Sequence, residues 1–463
     1  MKLKSIVVAL GVIGLINSQA FAVTTNNDTP IRTTSLSKSR LQRITNENGH
    51  RPTTEDNNQL DYKGVPAAAL CTIRQSEMIL NEMTQSMGRS MPNPCTSPGW
   101  ADRIQVSGGI NVDLGKFGNR NGGYQGENYK RFSLNDAYLN VGANINEWTQ
   151  GFASLSYGDP TSTNFTDSDE FEYSSVYNAH ELTLEQAYAT VSNFNASPLF
   201  LQVGKQFQDF SRYDIHPITR SMTQVLSETL RTSVKIGFIV PSGFNGAIYA
   251  FDNTIRQTNK HFPPTNYGAS FGIDRPNEQF GWDIGVGYMR NIISAKDIAH
   301  AVTNFTGIRA YNQQVGGIAF YGDVNSGPFY LSGRYTSAVN HFAPEDLPKN
   351  GDADLVANNV VSSAAHGAKP WALGVEIGFG FVNVIGWNCP KNQKLFAGYQ
   401  TSHQAAGIGL PRSRWIAGYG IEAVKNSNFG LEWDHDTAYA QSKGGNSQQH
   451  NDIVTIRAAF QFG

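Results

Sequence analysis

The sequence predicts an all-β fold, a single transmembrane antiparallel β-barrel of about 16 strands with a short N-terminal helical extension. Three observations support this prediction. The chain begins with an export signal, apolar and polar residues alternate in segments of about ten residues from residue 103 onward, and the connections between these segments are alternately short and long. We therefore divide the chain into a signal peptide at 1–22, an N-terminal extension at 23–100 and the barrel at 101–463.

The first 22 residues have the three parts of a secretory signal peptide. Lys2 and Lys4 form a basic start, residues 6–16 are apolar, and Ala20-Phe21-Ala22 provides small residues around a cleavage site. The apolar part is shorter than the roughly 20 residues that a transmembrane helix needs. We expect this segment to be removed and the chain to be exported to the cell outer membrane.

The N-terminal extension divides into a polar leader and a helix. Residues 23 to about 66 have almost no periodic apolar positions, which predicts a flexible leader. From about 66 to 87, Ile73, Leu80 and Met87 recur at intervals of seven, which predicts a helix. This helix either packs at the barrel rim or in its lumen, or joins copies of the chain as a short coiled coil in a homo-oligomer. The sequence leaves both alternatives open.

Three cysteines enter an oxidising compartment when the chain is exported. Cys71 and Cys95 are candidate disulfide partners because they can close a short loop, which leaves Cys389 over. The sequence has no pair of Cys-x-x-Cys motifs and no other metal-ligand motif, so we predict no metal site and no cofactor.

From residue 103 onward the residues alternate as they do in a strand with one lipid face and one wet face. Between Trp371 and Phe381 every second residue is large and apolar, and aromatic residues lie at both ends, where the interfacial girdles of a barrel belong. An even number of strands near sixteen suits a porin-sized barrel. The predicted strands lie near 103–114, 132–145, 149–158, 181–193, 198–207, 224–240, 244–252, 267–274, 280–291, 315–324, 328–338, 370–382, 393–402, 413–424, 428–437 and 452–462. Long polar loops are predicted near 159–180, 253–266, 292–314, 339–368 and 438–451.

Composition agrees with this fold and limits the partners. The chain has 46 Gly, 26 Phe, 19 Tyr and 7 Trp but only 36 Lys and Arg, as expected of a wall that faces lipid on one side and water on the other. A net charge of −2 gives no overall attraction to nucleic acid. The expected partners are outer-membrane lipid and a small polar solute.

The alternation places charged residues of both signs on the lumen face, where they are candidate ligand-binding or pore-lining groups. They either orient polar solutes in the pore or neutralise one another across the bore. The candidates are Arg231, Lys235, Arg334, Arg414, Arg457, Glu376 and Glu422, with Glu432 and Asp434 in the same rows.

Asp434-His435-Asp436 is the nearest approach to acid–base machinery in the sequence. Neighbouring residues in a strand point to opposite faces, so His435 cannot share a face with either aspartate in regular β geometry. The chain carries no Gly-x-Ser-x-Gly, His-Glu-x-x-His or phosphate-loop motif. We therefore predict that it is not an enzyme.

Three short segments in one region resemble a stretch of the LbtU-type siderophore porins. They are Leu201-Gln202-Val203-Gly204-Lys205-Gln206-Phe207-Gln208-Asp209-Phe210, His216-Pro217-Ile218-Thr219 and Ser227-Glu228-Thr229. Ser211 stands where a glycine is usual in that family, and Gln208-Asp209 replaces the more common Val-Pro. The clear likeness covers about forty residues, and the architecture of the remainder is similar.

The resemblance implies a porin or receptor for uptake of ferric siderophore without a large plug domain. The family-like segment contributes Gly204, Lys205, Gln206 and Arg212 as candidate site residues. An anionic ferric complex would need cationic donors, for which the lumen candidates are Arg231, Lys235, Arg334 and Arg414. Simple alternation places Lys205 on the outer face, so it reaches the lumen only if a bulge or strand end intervenes. The alternative hypothesis is a general or anion-preferring diffusion porin for small polar solutes. Saturable binding at low concentration distinguishes a receptor from such a pore.

Overall fold

The computed structural model describes residues 104–117, 129–146, 148–157, 182–193, 196–212, 218–240, 242–275, 280–349, 366–381, 393–424, 427–443 and 450–462. The predicted signal peptide, the polar leader, the helix at 66–87 and the disulfide candidates Cys71 and Cys95 lie outside the described residues. No helix of the described part is long and apolar enough to cross a membrane.

Sixteen antiparallel strands form a closed barrel, which confirms the predicted fold class and strand number. Each wall strand pairs with its neighbours along the chain, and β1 pairs with β18 to close the ring. The wall strands are β1 (Ile104–Phe117), β2 (Tyr129–Asn144), β3 (Thr149–Tyr157), β4 (Thr183–Ser192), β5 (Leu199–Phe207), β6 (Leu230–Ile239), β7 (Phe244–Asp252), β9 (Thr265–Arg275), β10 (Phe280–Met289), β12 (Gly317–Ser326), β13 (Phe329–Ala338), β14 (Trp371–Phe381), β15 (Gln393–His403), β16 (Ser413–Val424), β17 (Ser427–Thr437) and β18 (His450–Phe462). The two short strands β8 (Arg256–Gln257) and β11 (Ala310–Tyr311) form a separate parallel pair.

The alternation of apolar and polar residues in the sequence corresponds to the outer and inner faces of the barrel wall. In β14, Leu373, Val375 and Ile377 are exposed on the outer face, whereas Ala372 and Glu376 are buried on the inner face. Lipid is the solvent of the outer face, so exposed aliphatic side chains are favourable there. In this strand the apolar row therefore lies outside, and the row that contains Glu376 faces the lumen.

Glycines in the wall make room for aromatic rings that lie flat against it. The ring of Tyr330 covers Gly378 of the neighbouring strand, and the ring of Tyr321 covers Gly285 in the same way. A Cβ at either glycine would overlap the ring. The high glycine and aromatic content thus reflects paired positions on adjacent strands.

The connections alternate in length around the ring, as predicted, with one exception. One end of the barrel, the turn end, has short links such as 240–243 and 327–328, and the other, the loop end, has the long links. The exception is that the turn-end link 382–392 is longer than the loop-end link 404–412. In outer-membrane barrels short turns face the periplasm and long loops face outward. Both α-helices of the described residues lie in loop-end connections, α1 (Met222–Ser227) between β5 and β6, and α2 (Lys296–Thr306) between β10 and β12.

Two sequence predictions are wrong at the loop end, one on the start of a strand and one on the content of a loop. The predicted strand at 224–240 begins only at Leu230, because the residues before it form α1, whose first turn is capped by Ser221 accepting from the Gln224 N–H at 3.1 Å. The predicted polar loop at 292–314 contains α2, which buries Ile298, Val302 and Phe305 at helical spacing.

The hydrophobic core lies at the loop end, inside the ring of strands. We call this packed layer the cap. It joins α1 to α2 and to the connections that follow β13 and β15. Its fully or almost fully buried side chains include Phe210, Met222, Leu226, Ile292, Ile293, Ile298, Val302, Tyr311, Phe342, Leu347 and Leu410. Burial of each large aliphatic side chain contributes about 1.5–3 kcal/mol, so the cap is a folded unit rather than a set of independent loops.

Candidate functional site: the lumen and its inserted segment

Residues 208–229, which we call the inserted segment, leave the wall after β5 and pass through the lumen before β6 begins. Its described residues are 208–212 and 218–229. The N–H groups of Ile218 and Thr219 donate to the Glu432 carboxylate at 3.3 and 2.8 Å, and the Thr219 hydroxyl donates to Asp434 at 2.8 Å. Both acceptors belong to β17, six positions round the sixteen-strand ring from β5. The segment therefore reaches the opposite wall.

A second contact fixes the helix that follows. The Met222 N–H donates to the side-chain oxygen of Gln400 in β15 at 2.8 Å. All six residues of α1 are buried, and the helix packs against β13, β14 and β15. Hydrogen bonds to buried inward-facing side chains replace the water that these backbone groups would otherwise need.

The start of the inserted segment runs along the near wall. Asp209 accepts from Lys235 Nζ of β6 at 2.9 Å, and Arg212 pairs with Asp283 of β10 at 2.5 Å. The Arg212 guanidinium also lies 4.4 Å above the ring of Tyr321. These contacts hold the segment against the wall before it turns inward.

A buried ion-pair network joins the inserted segment to the cap. Arg220 bonds to Asp297 of α2 at 2.7 Å and to Glu228 at 3.2 Å. Burial alone would raise the pKa of Asp297, but the Arg220 guanidinium beside it, together with Lys296 and His300, holds that pKa below its usual range. The carboxylate is therefore ionised, and it fixes the position of α1 relative to α2.

The predicted lumen cations face inward, and each of four has a carboxylate partner. The pairs form between neighbouring strands or with the inserted segment, rather than across the bore. They are Lys235 with Asp209 at 2.9 Å, Arg334 with Asp323 at 2.9 Å, Arg414 with Asp436 at 2.6 Å and Arg457 with Asp113 at 2.6 Å. Pairing over such short distances cancels most of the field that a separate row of cations would produce in the pore.

The remaining predicted pore residues have different surroundings. Arg231 is half-buried at the start of β6, opposite Gln206. Glu376 is buried on the inner face and accepts a hydrogen bond from the Tyr330 hydroxyl. Glu422 lies in β16 opposite Asn428, but its side chain is outside the described part.

The family-like residues divide between the two faces of β5. Gly204 has a φ of +141° and lies against the backbone of β4, and Gln206 faces the lumen and bonds to Ser233 at 3.2 Å. Lys205 faces outward, where its Nζ donates to the Leu184 carbonyl at 2.6 Å, and the β5 register is regular at this point. No bulge turns Lys205 toward the lumen, so it is not a pore-lining residue.

The aspartates and histidine of the 434–436 triplet lie on opposite faces of β17, as the alternation predicts. Asp434 and Asp436 face inward, whereas His435 bonds to Asp452 at 2.8 Å and stacks on His450 at 5.0 Å between ring centroids. In the part of the chain that the structure describes, no group of three or more His, Cys, Asp or Glu is arranged to hold a metal ion.

Sequence reasoning missed the inserted segment and two inner-face residues of the turn end, Tyr330 and Lys394. Both residues follow the same alternation as the predicted candidates. Lys394 lies between outward-facing Gln393 and Leu395, so a complete list of inward cations would have included it. The cross-lumen course of the segment has no comparable sequence signal, because its acceptors lie more than 200 residues away.

No protein-family model matches the sequence. Among curated proteins, a "UPF0422 protein" of Coxiella burnetii is 23% identical over 324 residues, covering 69% of this chain and 62% of the relative. A "UPF0422 protein" of Legionella pneumophila is 22% identical over 336 residues, covering 70% of this chain and 58% of the relative. The chain thus spans about three fifths of the length of these relatives.

Solved structures of low sequence identity share the fold. OprB of Pseudomonas putida matches with a TM-score of 0.53 and 10% identity, over 78% of this chain and 94% of that one. OmpF of Salmonella typhi, solved in complex with daunomycin, matches with a TM-score of 0.50 and 13% identity, over 78% and 97%. These matches show that the fold is that of a porin barrel.

Proposed function

We propose that this chain is a porin-type channel for small polar solutes and that its cargo is a ferric siderophore. In this proposal the cargo passes through the channel without being chemically changed. The observation that carries it is the position of the family-like residues. The stretch that resembles LbtU-type siderophore porins ends in residues 208–229, the inserted segment that passes through the lumen. The residues that support a specific cargo are therefore also the residues that narrow the path.

The inner wall suits a hydrated cargo. Gln202, Gln400 and Thr455 are buried on the inner face of three different strands, so the wall there is polar without a net charge. A lumen lined in this way favours polar solutes over apolar ones.

The ion pairs of the lumen set a condition on the charge of the cargo. Separating a buried pair such as Arg414 with Asp436 costs several kcal/mol, because it leaves one charge without its partner. We expect the cargo to pass these pairs without breaking them. A ferric complex meets this condition when its organic ligand encloses the metal and spreads the remaining charge over several oxygens.

The test is uptake of radiolabelled iron, supplied at nanomolar concentration as the cell's own siderophore complex. Cells that lack the gene are compared with cells that carry an intact copy, Arg212→Gln or the control Arg275→Gln. Arg212 holds the inserted segment, whereas Arg275 is exposed on the outer face at the end of β9. We expect saturable uptake to disappear on deletion, to return with the intact copy and the control, and to fall with Arg212→Gln. Uptake that is unchanged by deletion would exclude the siderophore as cargo.

A diffusion porin for neutral or zwitterionic solutes is the second candidate, and the pairing of the lumen cations favours it. A pore whose described cations are mostly neutralised discriminates by size more than by charge. Liposomes that contain the purified chain should then swell in neutral sugars at rates that fall with sugar size. Swelling without saturable iron uptake supports this candidate, and saturable uptake excludes it.

The sequence predictions on the N-terminal extension stay predictions. We propose that residues 66–87 join copies of the chain in a homo-oligomer and that Cys71 and Cys95 form a disulfide. The mass of the detergent-solubilised particle, measured by light scattering with and without residues 66–87, tests the first proposal. Mass spectrometry of unreduced peptides tests the second.

A further inference from the structure

Lys394 differs from the four inward-facing cations that have carboxylate partners. It is the second residue of β15, at the turn end, and its side chain is exposed. Leu395 and Tyr399 are exposed on the outer face of the same strand, and Phe396 and Gln400 are buried on the inner face. Lys394 shares the face of Phe396 and Gln400, so it points into the turn-end mouth of the lumen.

The described residues around Lys394 hold its ammonium group in place without a carboxylate in salt-bridge contact. Its Nζ lies 4.1 Å from the centroid of the Tyr330 ring, which is fixed against Gly378. The Tyr330 hydroxyl donates to Glu376, which increases the electron density of the ring and strengthens its attraction for a cation. Within the described part of the chain, Lys394 has this ring contact but no carboxylate partner and no hydrogen bond.

Lys394 and the paired cations differ in the electric field that they present to a passing solute. A charge with a carboxylate less than 3 Å away is nearly cancelled at the distance of a passing ion, whereas an unpaired charge acts over about 8–10 Å at physiological salt. The low-dielectric wall of the mouth concentrates that field in the water that it encloses. The three N–H donors of the Lys394 ammonium group are available to an oxygen of an anionic solute.

We propose that Lys394 is the anion-binding contact of the turn-end mouth, where it accepts the carboxylate or other anionic oxygens of a solute that leaves the lumen. It also makes the channel prefer chloride to potassium at this end. The inference rests on the proposed function only in that solutes cross the lumen, and it applies to any cargo that carries an anionic oxygen. It names the chemical class that the turn end favours, an anion of the size of a carboxylate.

The test is the reversal potential of the purified full-length chain in a planar lipid bilayer under a tenfold KCl gradient. Lys394→Gln removes the charge, Lys394→Arg keeps it, and Arg275→Gln removes an exposed cation from the outer face near the same end. We expect the permeability ratio of chloride to potassium to fall about twofold or more in Lys394→Gln, and to stay within experimental error of the wild-type value in the other two variants.

The outcomes separate this inference from the proposed cargo. An unchanged ratio in Lys394→Gln, or an equal fall in Arg275→Gln, overturns the role of Lys394 even when siderophore uptake is intact. A selective fall in Lys394→Gln supports that role even when no siderophore is transported. A wild-type chain that inserts but never conducts overturns both the channel and the role of Lys394. Because Lys394 is exposed, its replacement should not disturb the fold. The folding of each variant is checked by its resistance to unfolding in cold detergent.

Discussion

Replacing Asp113 by Asn breaks the ion pair that joins the first and last strands of the barrel. Arg457 of β18 donates from Nε and Nη2 to the two oxygens of Asp113 in β1, at 2.7 and 2.6 Å. The two residues face each other in the strand register, and both are almost fully buried. Asparagine has only one side-chain acceptor oxygen. Its NH2 group would face a guanidinium N–H of Arg457, so that two hydrogen-bond donors oppose each other. The variant therefore loses one hydrogen bond and the counterion of a buried charge.

The expected loss of stability is about 3 kcal/mol. Removing one partner of a buried pair costs about 3–5 kcal/mol, because the other charge is left without compensation. Glu432 lies close enough to attract Arg457, which puts the loss at the lower end of that range. Replacing both residues, Asp113→Leu with Arg457→Met, removes both charges together and should cost less than Asp113→Asn alone.

Urea unfolding of the refolded chain in detergent micelles, followed by tryptophan fluorescence, measures these differences. Asp252→Asn is the matched control, since Asp252 is an exposed residue at the end of β7, and we expect a change within about 0.5 kcal/mol there. A loss below about 1 kcal/mol in Asp113→Asn, or a double variant less stable than the single one, would refute the reasoning that the seam depends on charge pairing.

Three further changes probe the wall, the inserted segment and the cap. Gly204→Ala should lower the free energy of unfolding by about 2–3 kcal/mol, because φ is +141° and the new methyl group would press on the Ala187 carbonyl; urea unfolding measures it. Glu432→Leu removes the acceptors of two N–H groups of the inserted segment, so single-channel conductance should rise, and an unchanged conductance would mean that other contacts suffice. Asp297, whose pKa is lowered by Arg220, contributes stability that is present above about pH 4 and lost as pH falls through its folded-state pKa. The melting temperature of Asp297→Asn should therefore fall less between pH 6 and pH 2 than that of the wild type, and equal falls would contradict this role.

The sequence predicted the wall well because the wall obeys a local rule. Each residue of β14 from Trp371 to Phe381 takes its face from its parity, and lipid on one side makes that parity visible as an apolar row. The same rule placed Arg414 and Arg457 on the inner face. It could not supply their partners, because Asp436 and Asp113 are neighbours only after strand register and ring closure are known.

The inserted segment and the cap could not be predicted from that rule. The apolar pair Val225 and Leu226 favours a strand in the sequence, although both residues belong to a helix whose every residue is buried. The spacing of Ile298, Val302 and Phe305 is that of an amphipathic helix, but it occurs between strands where an exposed loop was expected. The apolar residues at the loop end are explained by the hydrophobic core of the cap. The alternation of the wall strands does not reveal that core.

The anchors of the inserted segment determine how the channel can select its solutes. On one side Met222 and Leu226 are fully buried in the cap, and on the other two backbone N–H groups bond to Glu432 of the wall. Moving the segment would expose the apolar side chains and break the hydrogen bonds together, so its course through the lumen is fixed in the folded state. A path of fixed width discriminates by size along its length, and discrimination by charge is then left to side chains that the ion pairs do not neutralise. Lys394 meets that description at the turn end, which is why a single substitution there should change ion preference without changing conductance to the same degree.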